Sequence, residues 1–112
     1  MTKRFGLPAS AIKELAPGRG SCLARDHITV DMRPILFMYR EPPDNETDSG
    51  WRFFSGDEAQ DYVDDPENIG LYDVNTIANY DPAIIPHLDA PAFSAFERAS
   101  ETSVFVPAPF PG

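Results

Sequence analysis

Two histidines, one cysteine and eighteen carboxylates are the residues of this 112-residue chain able to bind a metal or move a proton, and their spacing supports neither. His27 and His87 lie far apart, each with an Asp adjacent or two residues away, and no H-x-E-x-x-H or related pattern joins them. A metal site would require the fold to bring them together; without that they are surface histidines. Asp44-Asn45-Glu46-Thr47-Asp48-Ser49-Gly50 places oxygens at alternate positions as a calcium loop does, but its glycine falls one position late and Ser55 stands where the bidentate glutamate belongs. It reads instead as a polar hairpin loop. Asp57, Glu58, Asp61, Asp64, Asp65 and Glu67 form the densest acidic group. Acid/base work would need a cleft that separates their proton affinities, whereas a solvated helix face needs nothing and a docking surface needs only a basic partner. No serine lies in G-x-S-x-G, and Gly18-Arg19-Gly20 is too short to be a phosphate loop. No catalytic residue and no cofactor is indicated.

The charge distribution narrows the partner. Net charge is −9. Residues 1–40 carry seven Lys/Arg against Glu14, Asp26 and Asp31, for +4, while residues 41–112 carry Arg52 and Arg98 against fifteen Asp/Glu, for −13. Such a field repels nucleic acid and anionic lipid and favours a basic partner, although acidity also serves solubility alone. Cys22 is the lone cysteine, so an internal disulfide is impossible and a reducing cytoplasm suits the chain. No apolar run has signal-peptide or membrane-spanning length.

The elements that must position these groups centre on Gly50-Trp51-Arg52-Phe53-Phe54-Ser55-Gly56-Asp57-Glu58, which holds the only tryptophan. Trp51 and Phe53 alternate with Arg52 and Phe54, so an extended backbone turns the two pairs to opposite faces. Trp51 reads as core, and Arg52 has to be paired if it is buried. Gly56 makes a turn, and Asp57 would cap a helix running from Glu58 to Val63. Ile35 to Arg40 is the most apolar run and predicts a central strand, joined through the loop 41–50 to the Trp51 strand as an antiparallel hairpin. Upstream, Leu7 to Leu15 predicts a two-turn helix, and Ser21-Ala24 with His27-Val30 predicts a hairpin or one bent strand. Downstream follow a strand at 69–74, a short helix at 75–80 capped by Asn75, and a last strand at 93–98. Prolines at 107, 109 and 111 favour an extended tail. The expected architecture is α+β, a small mainly antiparallel sheet with two or three short helices. Residues 1–19 are an extension, 20–105 a single domain and 106–112 a proline-rich tail.

The strings from Gly50 to Glu58, from Pro66-Glu67-Asn68-Ile69-Gly70-Leu71-Tyr72-Asp73-Val74-Asn75 through Asp81-Pro82, and Ala95-Phe96-Glu97-Arg98, together with the strand end Met38-Tyr39-Arg40-Glu41, resemble a bacterial family. It is immunity-protein family thirty-three, first described as a domain of unknown function, and the resemblance covers roughly residues 20–98. It implies a cytoplasmic, non-enzymatic α+β domain that neutralises a toxin of a polymorphic toxin system by binding it. Trp51, Arg52, Asp73, Asn75, Asn79, Tyr80 and Asp81 match the family's recurrent positions, and Asn75 as a cap and Trp51 as core would recur for folding. The expected partner-binding residues are Tyr39, Arg52, Asp57, Glu58, Asp61, Asp64, Asp73, Tyr80 and Asp81, set on an acidic surface that meets a basic toxin domain. No nucleic acid or membrane partner is expected, and the chain is a monomer or a homodimer. The alternative is a stand-alone regulatory or small-ligand-binding domain with a pocket lined by Tyr39, Arg52 and Tyr80.

Overall fold

The computed structural model describes residues 3–111. Its centre is a six-stranded sheet built from β1 (Ser21–Arg25), β2 (Phe37–Arg40), β3 (Asp48–Phe54), β4 (Ile69–Asp73), β5 (Ala95–Glu97) and β6 (Val106–Pro107) in the order β4-β1-β3-β2-β5-β6. Only β1 and β3 pair in parallel; every other neighbour is antiparallel. With the short helices α1 (Asp26–Thr29), α2 (Gln60–Asp64) and α3 (Val74–Tyr80) the architecture is α+β.

The alternation in β3 divides the molecule as its sequence predicts. Trp51 and Phe53 are almost completely buried against Ile28 of α1, Val74, Ile77 and Ala78 of α3, and Ile84 and Leu88. The Trp51 indole satisfies its N–H on the Leu88 carbonyl at 3.2 Å, as a buried indole must. Arg52 and Phe54 turn to the other side, opposite Tyr39 and Phe37 of β2 in the antiparallel register. Helices α1 and α3 therefore cover one face of the sheet, and the second carries the residues discussed below.

Several local expectations need correction. Ser21–Val30 is neither a hairpin nor one bent strand: β1 ends at Arg25, and Asp26–Thr29 coil into one helical turn that buries Ile28 and Thr29. Burial of those two side chains overrides their β-branched preference. The predicted helix at 7–15 is reduced to a 3-10 turn at Ala9–Ala11. A helix that short is marginal unless its neighbours support it, and here they hold the following residues elsewhere. The Asn75 carboxamide accepts from the amides of Leu15 and Ala16 at 2.7 and 2.8 Å and donates to the Lys13 carbonyl at 2.8 Å. Asn75 is thus no cap; Asp73 caps α3 by accepting from the Asn75 amide at 2.8 Å. Helix α2 starts at Gln60, later than expected, because Asp57 and Glu58 are committed to a turn instead of a cap.

The Ile35–Arg40 run supplies a central strand as expected; its equally central neighbour β3 is longer and begins inside the stretch read as loop. Between Ser21↔Asp48 and Leu23↔Arg52, β1 advances two residues while β3 advances four, which marks a bulge. Gly50 sits in it at φ +88°, where a Cβ would lie 2.1 Å from the Glu41 carbonyl oxygen. No other residue fits there. At the far edge, the proline-rich stretch contributes β6, Phe105 is buried, and the Ala108 amide bonds the Ala95 carbonyl at 2.9 Å.

Candidate functional site

The bulge at Gly50 folds Asp48 back over Arg52, and the resulting ion group explains how a cation survives in the sheet. The Arg52 side chain is 4% exposed. It donates to Asp48 at 2.9 and 2.8 Å, to Glu41 at 2.6 Å and to the Trp51 carbonyl at 3.0 Å. Asp48 also accepts from the amides of Gly50 and Asp44, each at 2.9 Å. The bidentate Arg52 contact, with those amides, holds the Asp48 carboxyl far below the usual carboxylate range, and the same pairing raises Arg52. Arg52 is buried and paired, as its place in the alternation requires, and four of its five N–H donors are spent inside the fold.

A second polar group closes the C-terminal end of β3. Gly56 turns the chain at φ +91°, and Glu58 accepts from the amides of Ser55 and Gly56 at 2.7 and 2.9 Å. The Ser55 hydroxyl donates to Asp57, whose other oxygen accepts from Arg33 at 2.7 Å. The Ser55 hydrogen bond, then the Arg33 and His27 charges, hold the Asp57 carboxyl below its ordinary value. His27 stacks on Tyr62 with ring centroids 4.0 Å apart and brings Nδ1 to 3.2 Å from Ser55 Oγ and 3.3 Å from Asp57. Serine, histidine and aspartate are thus neighbours, yet not in series: Ser55 reaches Asp57 directly, and both touch the same imidazole nitrogen. A relay needs the carboxylate on the opposite nitrogen, and Ser55 is only 2% exposed. Ligand atoms of His27, Asp57 and Glu58 also lie within 4.8 Å of one another. The Arg33 guanidinium already brings positive charge to this position, and each oxygen of Glu58 already accepts a turn amide.

The remaining sequence-predicted residues divide between fold and surface. Asp73 caps α3. Asp81 accepts from the Ile35 amide at 2.9 Å, pairs with the buried Arg98 and caps the 3-10 turn Pro82–His87. The Tyr80 hydroxyl accepts from the Leu7 amide at 3.2 Å, and its ring lines an apolar cavity of about 230 Å³ with Phe5, Ile12 and Tyr72. Tyr39 and Arg52 lie on the opposite face of the sheet, so these three residues share no pocket. Asp61 and Asp64 are exposed and make only local contacts with Tyr62 and Gln60.

Tyr39 belongs to an aromatic group that the sequence pattern alone does not assemble. Its ring is stacked at 5.7 Å from Phe54, lies 5.9 Å from Phe37 and meets Phe110 edge-on at 5.5 Å. Burial and the nearby Glu41 push its phenol up, so it stays a neutral donor. Beside this group Phe37, Phe54, Val63, Glu58, Glu97 and Arg98 line a cavity of about 340 Å³. The signal was present in β2: once Met38 is assigned to the core, Phe37 and Tyr39 must share the Phe54 side. Glu97 reaches it through pairing with Phe37 across β5.

Together these features define a small α+β domain whose buried charges serve the fold and whose free acids lie outside. The chain belongs to the immunity protein Imm33 domain family, whose model matches residues 22–108. No curated protein and no solved structure shows significant similarity to it. Family membership points to toxin neutralisation with a toxin protein as partner. Among the described residues, no helix is long and apolar enough to cross a membrane.

Proposed function

We propose that this chain is a cytoplasmic immunity protein that neutralises its toxin by direct, non-catalytic binding through an acidic surface. The observation that carries the reading is the family match over residues 22–108. Its electrostatic part is supported by Asp61, Asp64, Asp65 and Glu67, which are exposed and have no basic side chain within 4 Å among the described residues. Unpaired surface carboxylates keep their field available to an approaching basic toxin and raise the encounter rate. Asp57 and Glu58 extend this surface towards the sheet, and Tyr39 supplies an aromatic contact beyond them. Arg52, Asp73, Tyr80 and Asp81 are engaged within the fold by the hydrogen bonds described above.

The test is growth protection by co-expression with the cognate toxin, followed by association kinetics of the purified pair. The expected result is protection, and an association rate that falls steeply between 0.05 and 0.5 M salt, by about tenfold or more. An association rate indifferent to salt would remove the acidic surface from the reading.

A further inference from the structure

Resting on the toxin-binding reading, we propose that the toxin docks on the face of the sheet opposite α1 and α3 and inserts an arginine side chain between Glu58 and Glu97. The face is continuous across five strands. One cross-strand row runs Leu71, Leu23, Arg52, Tyr39, Ala95, and Phe54, Phe37 and Glu97 form part of a second. Leu71 is 70% exposed, and Leu23, Phe37, Tyr39 and Phe54 are half-buried. Side chains of this size left partly open on a sheet face that α1 and α3 do not cover mark an interaction surface. Phe110 packs edge-on against Tyr39 and so closes one side of it.

The occupant follows from charge. The cavity of about 340 Å³ is lined by the apolar side chains of Phe37, Phe54 and Val63 and by Glu58 and Glu97. Glu97 is exposed, Glu58 is half-buried with its oxygens also accepting from the amides of Ser55 and Gly56, and neither carboxylate has a cation within 4 Å among the described residues. Arg98 also lines the cavity, but its guanidinium is committed to Asp81 and to the carbonyls of Ile35 and Glu101. Arg25 adds one positive charge nearby, 5.1 Å from the Phe54 ring centroid, against Glu58, Glu97 and the Asp64 that follows Val63. The lining thus combines aromatic rings with carboxylates. A planar guanidinium satisfies both, stacking on a ring while donating to carboxylates, where an ammonium would satisfy only the second. The aromatic row beside it would receive apolar side chains flanking that arginine, giving a central anchor with the free acids of α2 at the margin.

The experiment has two arms. In the first, the isotopically labelled full chain is titrated with a blocked Leu-Arg-Leu tripeptide and with its citrulline analogue, which keeps the shape and removes the charge. Saturable amide shifts at Phe37, Phe54, Gly56 and Glu97, about tenfold weaker for citrulline and in Glu97→Gln, are expected. Equal binding of the two peptides, no binding, or shifts confined to 60–67 would overturn the proposal. In the second arm, growth protection against the cognate toxin is compared for wild type and Glu97→Lys. Glu97 is exposed, so the folded state survives the change, which amide dispersion verifies. Protection by wild type alone supports the docking face, whereas equal protection by both overturns it and leaves the toxin-binding reading intact. If wild type gives no protection, that reading falls, and the peptide arm alone decides the cavity.

Discussion

Replacing Asp48 by Asn removes one charge from the group that keeps Arg52 in the sheet, and the cost follows from the hydrogen bonds that Asp48 accepts. Asp48 is 5% exposed and receives two guanidinium donors and two backbone amides. An Asn carboxamide keeps one acceptor oxygen and turns an NH₂ towards groups that are themselves donors. Arg52 then relies on Glu41, 38% exposed at 2.6 Å, and on Asp44, 80% exposed at 3.7 Å. Removing one member of a buried ion pair costs about 3–5 kcal/mol. Because Glu41 remains, the lower end applies, and a loss of about 3 kcal/mol is expected. For a domain of this size that lowers the thermal midpoint by about 12 °C. Urea unfolding at pH 7, followed by fluorescence of the buried Trp51, measures it directly. The double variant Asp48→Asn/Arg52→Met should be no less stable than Asp48→Asn, since it removes the stranded charge. A loss below 1 kcal/mol for Asp48→Asn would refute the argument that this pairing holds Arg52 in place.

Four further outcomes follow from the same structure. Because the folded Asp48 carboxyl lies below its unfolded value, its contribution is complete above about pH 4 and is lost as pH falls below that value; Asp48→Asn should flatten this acid limb in pH-dependent unfolding. Burial alone lowers the His87 pKa, so its neutral form stabilises the fold above about pH 6.5, and that contribution declines as pH falls towards the folded value; thermal melts of His87→Phe should show a smaller decline between pH 7 and 5. Trp51→Ala should cost about 3–5 kcal/mol in chemical unfolding, because the side chain is 1% exposed among core residues. Asn75→Ala should raise amide exchange at Leu15 and Ala16 by about tenfold or more while exchange in β3 is unchanged, since its carboxamide bridges to that segment alone.

What could be read from the chain was what short-range pattern decides. The Trp51/Arg52 alternation assigned two faces correctly, and the apolar run before Arg40 yielded a strand paired in a hairpin with β3. The long strings around Trp51 and from Pro66 to Pro82 identified the family that the match over 22–108 shows. The failures were long-range. Asp73 and Asn75 are both good caps; Asn75 is withdrawn from that role by backbone groups of residues 13–16, some sixty positions earlier. Gly50 announced a turn, but its left-handed conformation serves a bulge whose need arises from close approach of the Glu41 carbonyl. The acidic segment from Asp57 to Glu67 was visible as charge, yet its division into turn-building and free carboxylates depends on Ser55, Arg33 and His27. Glu97 escaped the candidate residues because its position beside Phe37 is set by pairing between distant strands.

The most direct test of the central claim is a titration of the toxin's activity with the purified chain. Direct binding predicts a linear loss of activity that ends at one equivalent, together with recovery of an intact toxin–chain complex by size exclusion. Complete loss at a small fraction of an equivalent, with the chain turning over and the toxin chemically altered, would contradict the account and make the chain an enzyme.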